Sequence, residues 1–307
     1  LALRIRQKIG TGLLVLALCA LMLLDTWRIS RNFLRYEDPA RYTDIRLENP
    51  RIVRFLKAQD EMFRVLRLPN WNYYQQPGRY FDGAIAVSGH FDLTLKRYND
   101  LKRKIDESLT GLLAAKYLRG QQIPYEDAEL SEAFQPLLSL INVKYLIVPD
   151  PMTITSPQFP EAFAGEGFRL YENPGALPWC YLAPAHMVAE GEEQILALLS
   201  QGKVDPRHTV LLERAPPMAL GTAPRGDSTA DQVKLRAYDP DTGYIRIEVQ
   251  SGGPRMLVYC ENYHENWRAS VDGQEAEMYR ANYVWRAVFV PAGAHVVEFH
   301  YRSDRVV

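Results

Sequence analysis

Trp267-Arg-Ala-Ser-Val-Asp-Gly273, Tyr279-Arg-Ala-Asn-Tyr-Val-Trp-Arg286 and Val290-Pro-Ala-Gly-Ala-His-Val-Val-Glu-Phe-His-Tyr301 make one strongly patterned stretch near the C-terminus of a 307-residue chain. Apolar and polar residues alternate within it, and Asp272-Gly273 and Pro291-Ala-Gly293 interrupt it with turn chemistry. Such short runs with period two, broken by residues that tolerate tight turns, are the pattern of a β-sandwich. Upstream the same period holds over Val233 to Ala237, Tyr244 to Val249 and Met256 to Cys260, with a turn at Asp239-Pro-Asp-Thr-Gly243. Residues 206–307 are therefore expected to form an all-β sandwich, immunoglobulin-like or jelly-roll-like, entered through the Pro- and Gly-rich loop Pro216 to Asp227.

Residues 37–205 alternate helical and extended patterns, which predicts an α/β region. Helices are expected at Asn49 to Asp60, Leu93 to Leu113, Leu130 to Ile141 and Gly191 to Leu199. Strands are expected at Met62 to Leu66, Val143 to Val148, Phe168 to Tyr171 and Trp179 to Leu182. The Leu93 to Leu113 segment is amphipathic, with Leu95, Tyr98, Leu101, Ile105 and Leu109 on one side and Lys96, Arg97, Lys102, Arg103 and Lys104 largely on the other.

At the other end, Ile9 to Leu24 carries no charge, follows Arg4, Arg6 and Lys8, and leads to Trp27. Residues 1–36 read as one short transmembrane helix with its juxtamembrane segment, near the lower end of the ~17 to 25 residues that cross a hydrocarbon core. A cleaved signal peptide would need a small-x-small site, whereas Leu23-Leu24 runs into Asp25-Thr26-Trp27. A buried core helix is the remaining alternative. The chain opens on Leu1, and the expectation is a segment of a longer protein.

Lys and Arg number 36 against 37 Asp and Glu, a formal net charge of −1, so no basic field favours a nucleic-acid partner. Cys19, Cys180 and Cys260 show no C-x-x-C spacing, so neither a zinc knuckle nor a redox motif is supported. Cys180 and Cys260 could be joined in an oxidising compartment or stay ordinary buried thiols. The six histidines lack metal-site spacing, and His295 and His300 fall on opposite faces of one strand. No metal and no cofactor is expected.

Several segments together resemble one family. They are Asp25-Thr-Trp-Arg-Ile-Ser-Arg-Asn-Phe-Leu34, Phe63-Arg-Val-Leu66, Ala86-Val-Ser-Gly-His90 with Leu95-Lys-Arg-Tyr98, Leu140-Ile-Asn-Val-Lys-Tyr-Leu-Ile147, Tyr171-Glu-Asn-Pro-Gly-Ala-Leu-Pro178, and the Trp267 to Tyr301 module. In this order they resemble the C-terminal part of bacterial YfhO-family membrane proteins, polytopic proteins related to GT-C glycosyltransferases that use lipid-linked sugars. The resemblance implies transmembrane helices upstream, a β module outside the cytoplasmic membrane, and catalytic carboxylates in a region this chain lacks. Implied partners are the lipid bilayer, the upstream transmembrane domain, and a cell-envelope glycan or polyprenyl-phosphate sugar.

Candidate contact residues carry a structural reading beside the functional one. Ser88-Gly-His90-Phe-Asp92 cannot form a catalytic triad, because triad members come from separate elements. His90, Lys96 and Arg97 are candidates for a lipid phosphate or acceptor, while a solvated helix face is the plain alternative. Trp267, Tyr283 and Trp285, with Arg280 and Asn282, are candidates for glycan contact beside Glu261-Asn-Tyr-His-Glu-Asn-Trp267. Packing of those rings, with Asn282 bonding the backbone at a bend, is the competing account.

Overall fold

The computed structural model describes residues 11–33, 50–59, 61–67, 79–81, 84–86, 96–101, 103–105, 134–150, 152–165, 167–218, 220, 231–239 and 242–302. The chain divides into two compact units, Leu1–Asn49 and Pro50–Val307.

In the first unit, helix α1 covers Thr11–Phe33. Leu13, Leu16, Leu18, Leu21, Met22, Leu23 and Leu24 are all exposed on it. Its uncharged part, Thr11–Leu24, rises roughly 21 Å at about 1.5 Å per residue. That is short of the ~30 Å of a hydrocarbon core, and among the described residues no helix is long and apolar enough to cross a membrane. The helix expected at this end is present; its crossing of a membrane is not part of what the fold shows.

The second unit is dominated by three sheets. The first contains β1 (Phe63–Arg67), β2 (Arg79–Phe81), β3 (Ala84–Ala86), β4 (Val143–Pro149), β5 (Glu161–Gly165) and β6 (Phe168–Glu172), in the order β2-β3-β1-β4-β6-β5. Strand β1 pairs in parallel with β3 and β4, and the outer pairings are antiparallel. Helix α2 (Pro50–Lys57) places Ile52 and Leu56 against Phe63, Val65, Tyr145 and Ile147 on one face. Alternate residues Leu66, Leu146 and Val148 enter a larger core with helix α3 (Phe134–Leu140) and helix α4 (Glu192–Ser200). Among the described residues, the α/β character expected for 37–205 is limited to these short helices, the helical residues 96–101 and 103–105, and the parallel pairings beside a β-rich whole.

The middle sheet takes β7 (Cys180–Ala183), β8 (Ala185–Val188), β9 (Thr209–Leu212), β12 (Arg255–Asn262), β15 (Met278–Ala281) and β16 (Trp285–Val290), in the order β7-β12-β16-β15-β9-β8. The outer sheet takes β10 (Gln232–Asp239), β11 (Tyr244–Ser251), β13 (Trp267–Val271), β14 (Gln274–Ala276) and β17 (Gly293–Tyr301), in the order β10-β11-β17-β13-β14. Ile245, Ile247, Val249, Val297 and Phe299 of the outer sheet share a core with Leu257, Tyr259, Val288 and Val290 of the middle one. This is the sandwich that the alternation predicts.

Burial explains a departure from period two. Met256, Val258 and Cys260 face the first core and Leu257 and Tyr259 face the second, so the whole run is buried on both sides. Strand β11, with one wet face, keeps the clean alternation of buried Ile245, Ile247 and Val249. At roughly 1.5–3 kcal/mol for each large apolar side chain removed from water, the doubly covered sheet is where the fold is most strongly held.

The boundary expected at 205/206 needs correction. Strands β7 and β8 precede it, yet β7 pairs with β12 and β8 with β9, so the middle sheet runs through that point. Strands β6 and β7, on either side of Asn173-Pro174-Gly175, belong to different sheets, the first and the middle one. Two of the family-like segments explain the crossing. Asn142, at φ 58° just past α3, donates its amide to the Leu177 carbonyl, and Asn173 Nδ2 donates to the Val143 carbonyl at 2.9 Å. Asparagine accepts the left-handed backbone that ends such a helix.

The cysteines are free. Cys180 lies opposite Tyr259 in the β7/β12 register, one position from Cys260. Neighbouring strand residues point to opposite faces, and accordingly Cys180 packs against the second core while Cys260 lies in the first. A bond between them would have to pass through the sheet.

Candidate functional site

The loop Glu261 to Trp267 joins β12 to β13 and carries aromatic side chains in two directions. Tyr263 lies under the Arg280 guanidinium at 4.3 Å. His264 and Trp267 instead meet Tyr301, at ring-centroid distances of 6.1 and 5.3 Å. The loop is tied to the end of β17, because Arg302 donates its amide to the Asn266 carbonyl at 2.9 Å and Asn266 Nδ2 reaches Tyr301 Oη at 3.4 Å. Tyr301 is 42% exposed, so this end of the sandwich offers an aromatic face with an amide beside it. Gly243, at φ 64°, turns so closely against this face that an added Cβ would sit 2.7 Å from Tyr301 Cβ.

Beneath that face is Arg286. On β16 it is in phase with Val288 and Val290, so its side chain enters the sandwich, where it is only 2% exposed. Its guanidinium lies 3.8 Å from the Trp267 ring, 5.1 Å from Tyr259 and 5.5 Å from Phe299. Neither Nε nor NH1 meets an acceptor among the described residues. Burial pushes its pKa down to about 10, with Glu261 acting weakly in the other direction. A cation–π contact contributes about 2 kcal/mol when desolvated, against several kcal/mol to take an ion out of water. Three such contacts are of the same order as that cost, so the aromatic box shelters the charge while leaving Nε and NH1 without an acceptor among the described residues.

A second cluster unites residues that the sequence left far apart. Helical residues 96–101 and 103–105 bury Leu101 and Ile105 and leave Lys96, Arg103 and Lys104 exposed. Arg97 Nε pairs with Glu192 at 2.9 Å, its NH1 pairs with Glu213, and its guanidinium lies over Tyr283 at 5.5 Å. Arg280 approaches the same Glu213 at 3.7 Å. Burial and the neighbouring Arg97 lower the Arg280 pKa, and burial followed by Asp100 raises that of Tyr283. Lys96, 82% exposed, is 3.9 Å from Glu192. Two arginines answered by two glutamates leave little field for a phosphate.

The other candidates are placed as follows. His90 lies outside the described residues, as does the rest of the Ser88 to Asp92 loop. Trp285 is fully buried and donates its ring N–H to the Leu140 carbonyl at 2.9 Å, so it has no surface to offer a glycan. Asn282 is equally buried, at φ 45°; its Oδ1 accepts from the Leu211 amide at 2.9 Å and its Nδ2 donates to Tyr181 Oη at 2.8 Å. Tyr283 is 3% exposed. The packing account holds for these three, and burial is what corrects the glycan reading of them. Trp267 and Arg280 retain exposed surface.

Sequence reading passed over Tyr301, Arg286, Glu192 and Glu213 as site residues. For Arg286 a signal was present: an arginine in the inward phase of a strand whose next two inward residues are valines. For the glutamates there was none, since their pairing depends on how α4 and β9 are brought beside the basic helix. No family model, no curated protein and no solved structure matches this chain.

Proposed function

We propose that this chain is the non-catalytic, extracytoplasmic C-terminal portion of a YfhO-like glycosyltransferase of the bacterial cytoplasmic membrane, using a lipid-linked sugar donor, and that it positions the acceptor glycan. The observation that carries the reading is the aromatic end of the sandwich. Trp267, His264 and Tyr301 converge there with the Asn266 amide, and Tyr301 is open to solvent. Aromatic faces stack on the C–H faces of pyranose rings while amides bond their hydroxyls, which is how protein surfaces hold sugars. Attachment to the membrane through α1 is supported by its row of exposed leucines.

A second reading is a carbohydrate-binding or scaffolding module with no transferase activity. The mutual neutralisation of Arg97, Arg280, Glu192 and Glu213 favours it, since that cluster braces the helix against the middle sheet instead of facing outward. The reading frame upstream of these residues separates the two: many hydrophobic spans support the transferase, and their absence overturns it.

The glycan-holding role is tested with the full chain in detergent micelles on an array of bacterial envelope glycans, beside Tyr301→Ala. Binding that falls about tenfold or more in the variant, with an unchanged melting temperature, is the expected result. Absence of binding to any glycan overturns the role.

A further inference from the structure

Among the described residues, the sandwich end holds one buried charge with donors left without a hydrogen-bond acceptor. Arg286 is buried, lies over the Trp267 ring at 3.8 Å, and keeps two nitrogens without an acceptor among the described residues. The nearest acidic candidate, Glu261, gives its carboxylate to Arg64 at 3.3 Å. Three other arginines of the two sandwich sheets are paired: Arg246 with Glu298 at 3.0 Å, Arg236 with Glu248 at 2.7 Å and Arg255 with Asp231 at 2.9 Å. A guanidinium cannot shed its charge at physiological pH and recognises carboxylates through a planar array of N–H donors.

Its position bears on what that partner is. Trp267 lies against the guanidinium and also meets the solvent-exposed Tyr301 ring, edge to face. A pyranose held at Tyr301 is thus one indole away from the cation. Among the anionic groups that sugars carry, the planar carboxylate of a uronic acid matches the planar donor array of a guanidinium.

We infer that Arg286, boxed by Tyr259, Trp267 and Phe299, is the specificity determinant for an acidic sugar, taking the carboxylate of a uronic acid unit as the Trp267 ring moves aside. The inference rests on the glycan-holding role proposed above and narrows it to a substrate class. The indole is only partly buried, so its displacement disturbs the rim of the sandwich rather than its core. No covalent step is involved.

The test uses the full chain in detergent micelles, titrated with a glucuronate-containing oligosaccharide and with the same oligosaccharide after reduction of its carboxyl groups. Calorimetry reads the affinity and tryptophan fluorescence reads the indole. The acidic form is expected to bind about tenfold tighter or more, with a fluorescence change that the neutral form does not produce. In Arg286→Met that preference should vanish while binding of the neutral form persists. Replacing a buried, unpaired ion by an apolar side chain of similar size leaves folding intact or improves it, and a thermal melt checks this. Arg286→Lys is the second variant and should lose most of the preference, because an ammonium lacks the planar donor array. Equal binding of both oligosaccharides, or a preference that survives in both variants, would overturn the inference and leave the glycan role standing. Binding of neither overturns the inference, while the glycan role stands or falls on the array of envelope glycans.

Discussion

Arg64, on the first sheet, donates from NH2 to the carbonyl of Cys260, on the middle sheet, at 3.0 Å. The same side chain donates to the Ile141 carbonyl at 3.2 Å, pairs with Glu261 at 3.3 Å, and lies over Trp179 and Trp285 at 4.2 and 5.2 Å. One buried cation thereby joins two layers whose strands never pair. Arg64→Ala leaves two carbonyls and a carboxylate without their donor, and should destabilise the folded unit by about 3 kcal/mol or more. Arg64→Lys should restore less than half, because an ammonium cannot span those acceptors. Urea unfolding measures both; a loss under about 1 kcal/mol in Arg64→Ala would show that the layers are held without it.

Asn282 should be as intolerant for a different reason. Its replacement by Ala leaves the Leu211 amide and the Tyr181 hydroxyl buried and unbonded, at about 1–3 kcal/mol for each group, and puts a Cβ-bearing residue with no side-chain bond at φ 45°. Asn282→Gly relieves only the backbone part, by roughly 1 kcal/mol. The expected order of stability in denaturant is wild type, then Gly, then Ala.

The hairpin at Asp272 should respond to pH. Asp272 Oδ2 lies 2.7 Å from His295 Nδ1, and its Oδ1 accepts the Val296 amide at 2.8 Å. The Asp272 hydrogen bond raises His295 above its ordinary 6.5, so its stabilising contribution is complete below pH 6.5 and fades as pH climbs through the raised value. His295 first, and the Val296 amide second, hold Asp272 below its ordinary 3.8, so its contribution is complete above pH 3.8 and is lost as pH falls through the lowered value. Hydrogen exchange at the Val296 amide should therefore be slowest, after correction for intrinsic rates, between the two ordinary values of 3.8 and 6.5. Both side chains are near solvent, so the effect is roughly 0.5–1 kcal/mol. An Asp272→Asn variant should show a flat profile.

Two glycines with left-handed backbone separate conformational strain from crowding. Gly243 and Gly273 have φ 64° and 77°, but a Cβ at Gly273 meets open space while one at Gly243 meets Tyr301 Cβ at 2.7 Å. Gly273→Ala should cost about 1 kcal/mol. Gly243→Ala should cost about 1–3 kcal/mol more and loosen Tyr301 from Trp267, which near-ultraviolet circular dichroism would register. Equal costs for the two would mean that the aromatic end yields freely.

Legibility in the sequence followed how local the cause was. The Asp272-Gly273 turn needed only two residues that accept positive φ between alternating runs, and both adopt it. Strands β10, β11, β13, β16 and β17 were visible by their period of two, which is a property of the strand itself. Strands β5, β8, β9, β14 and β15, of three to five residues, were not seen. Such segments are strands by virtue of their neighbours, which no window along the chain contains. The candidate site divides the same way: a loop rich in rings and amides could be picked out, while burial removed Trp285, Asn282 and Tyr283 from it.

By itself, then, the sequence determined the β-rich module, its turns, an apolar helix near the start and a basic amphipathic one, expected over Leu93 to Leu113 and helical at residues 96–101 and 103–105. Tertiary structure alone decided that the middle sheet is covered on both faces, that Cys180 and Cys260 look away from each other, that Arg97 and Arg280 share the carboxylates of Glu192 and Glu213, and that Arg286 is enclosed without a partner. Periodicity tells a residue which side of its own strand it occupies; what waits on that side is supplied by chain segments tens to hundreds of residues away.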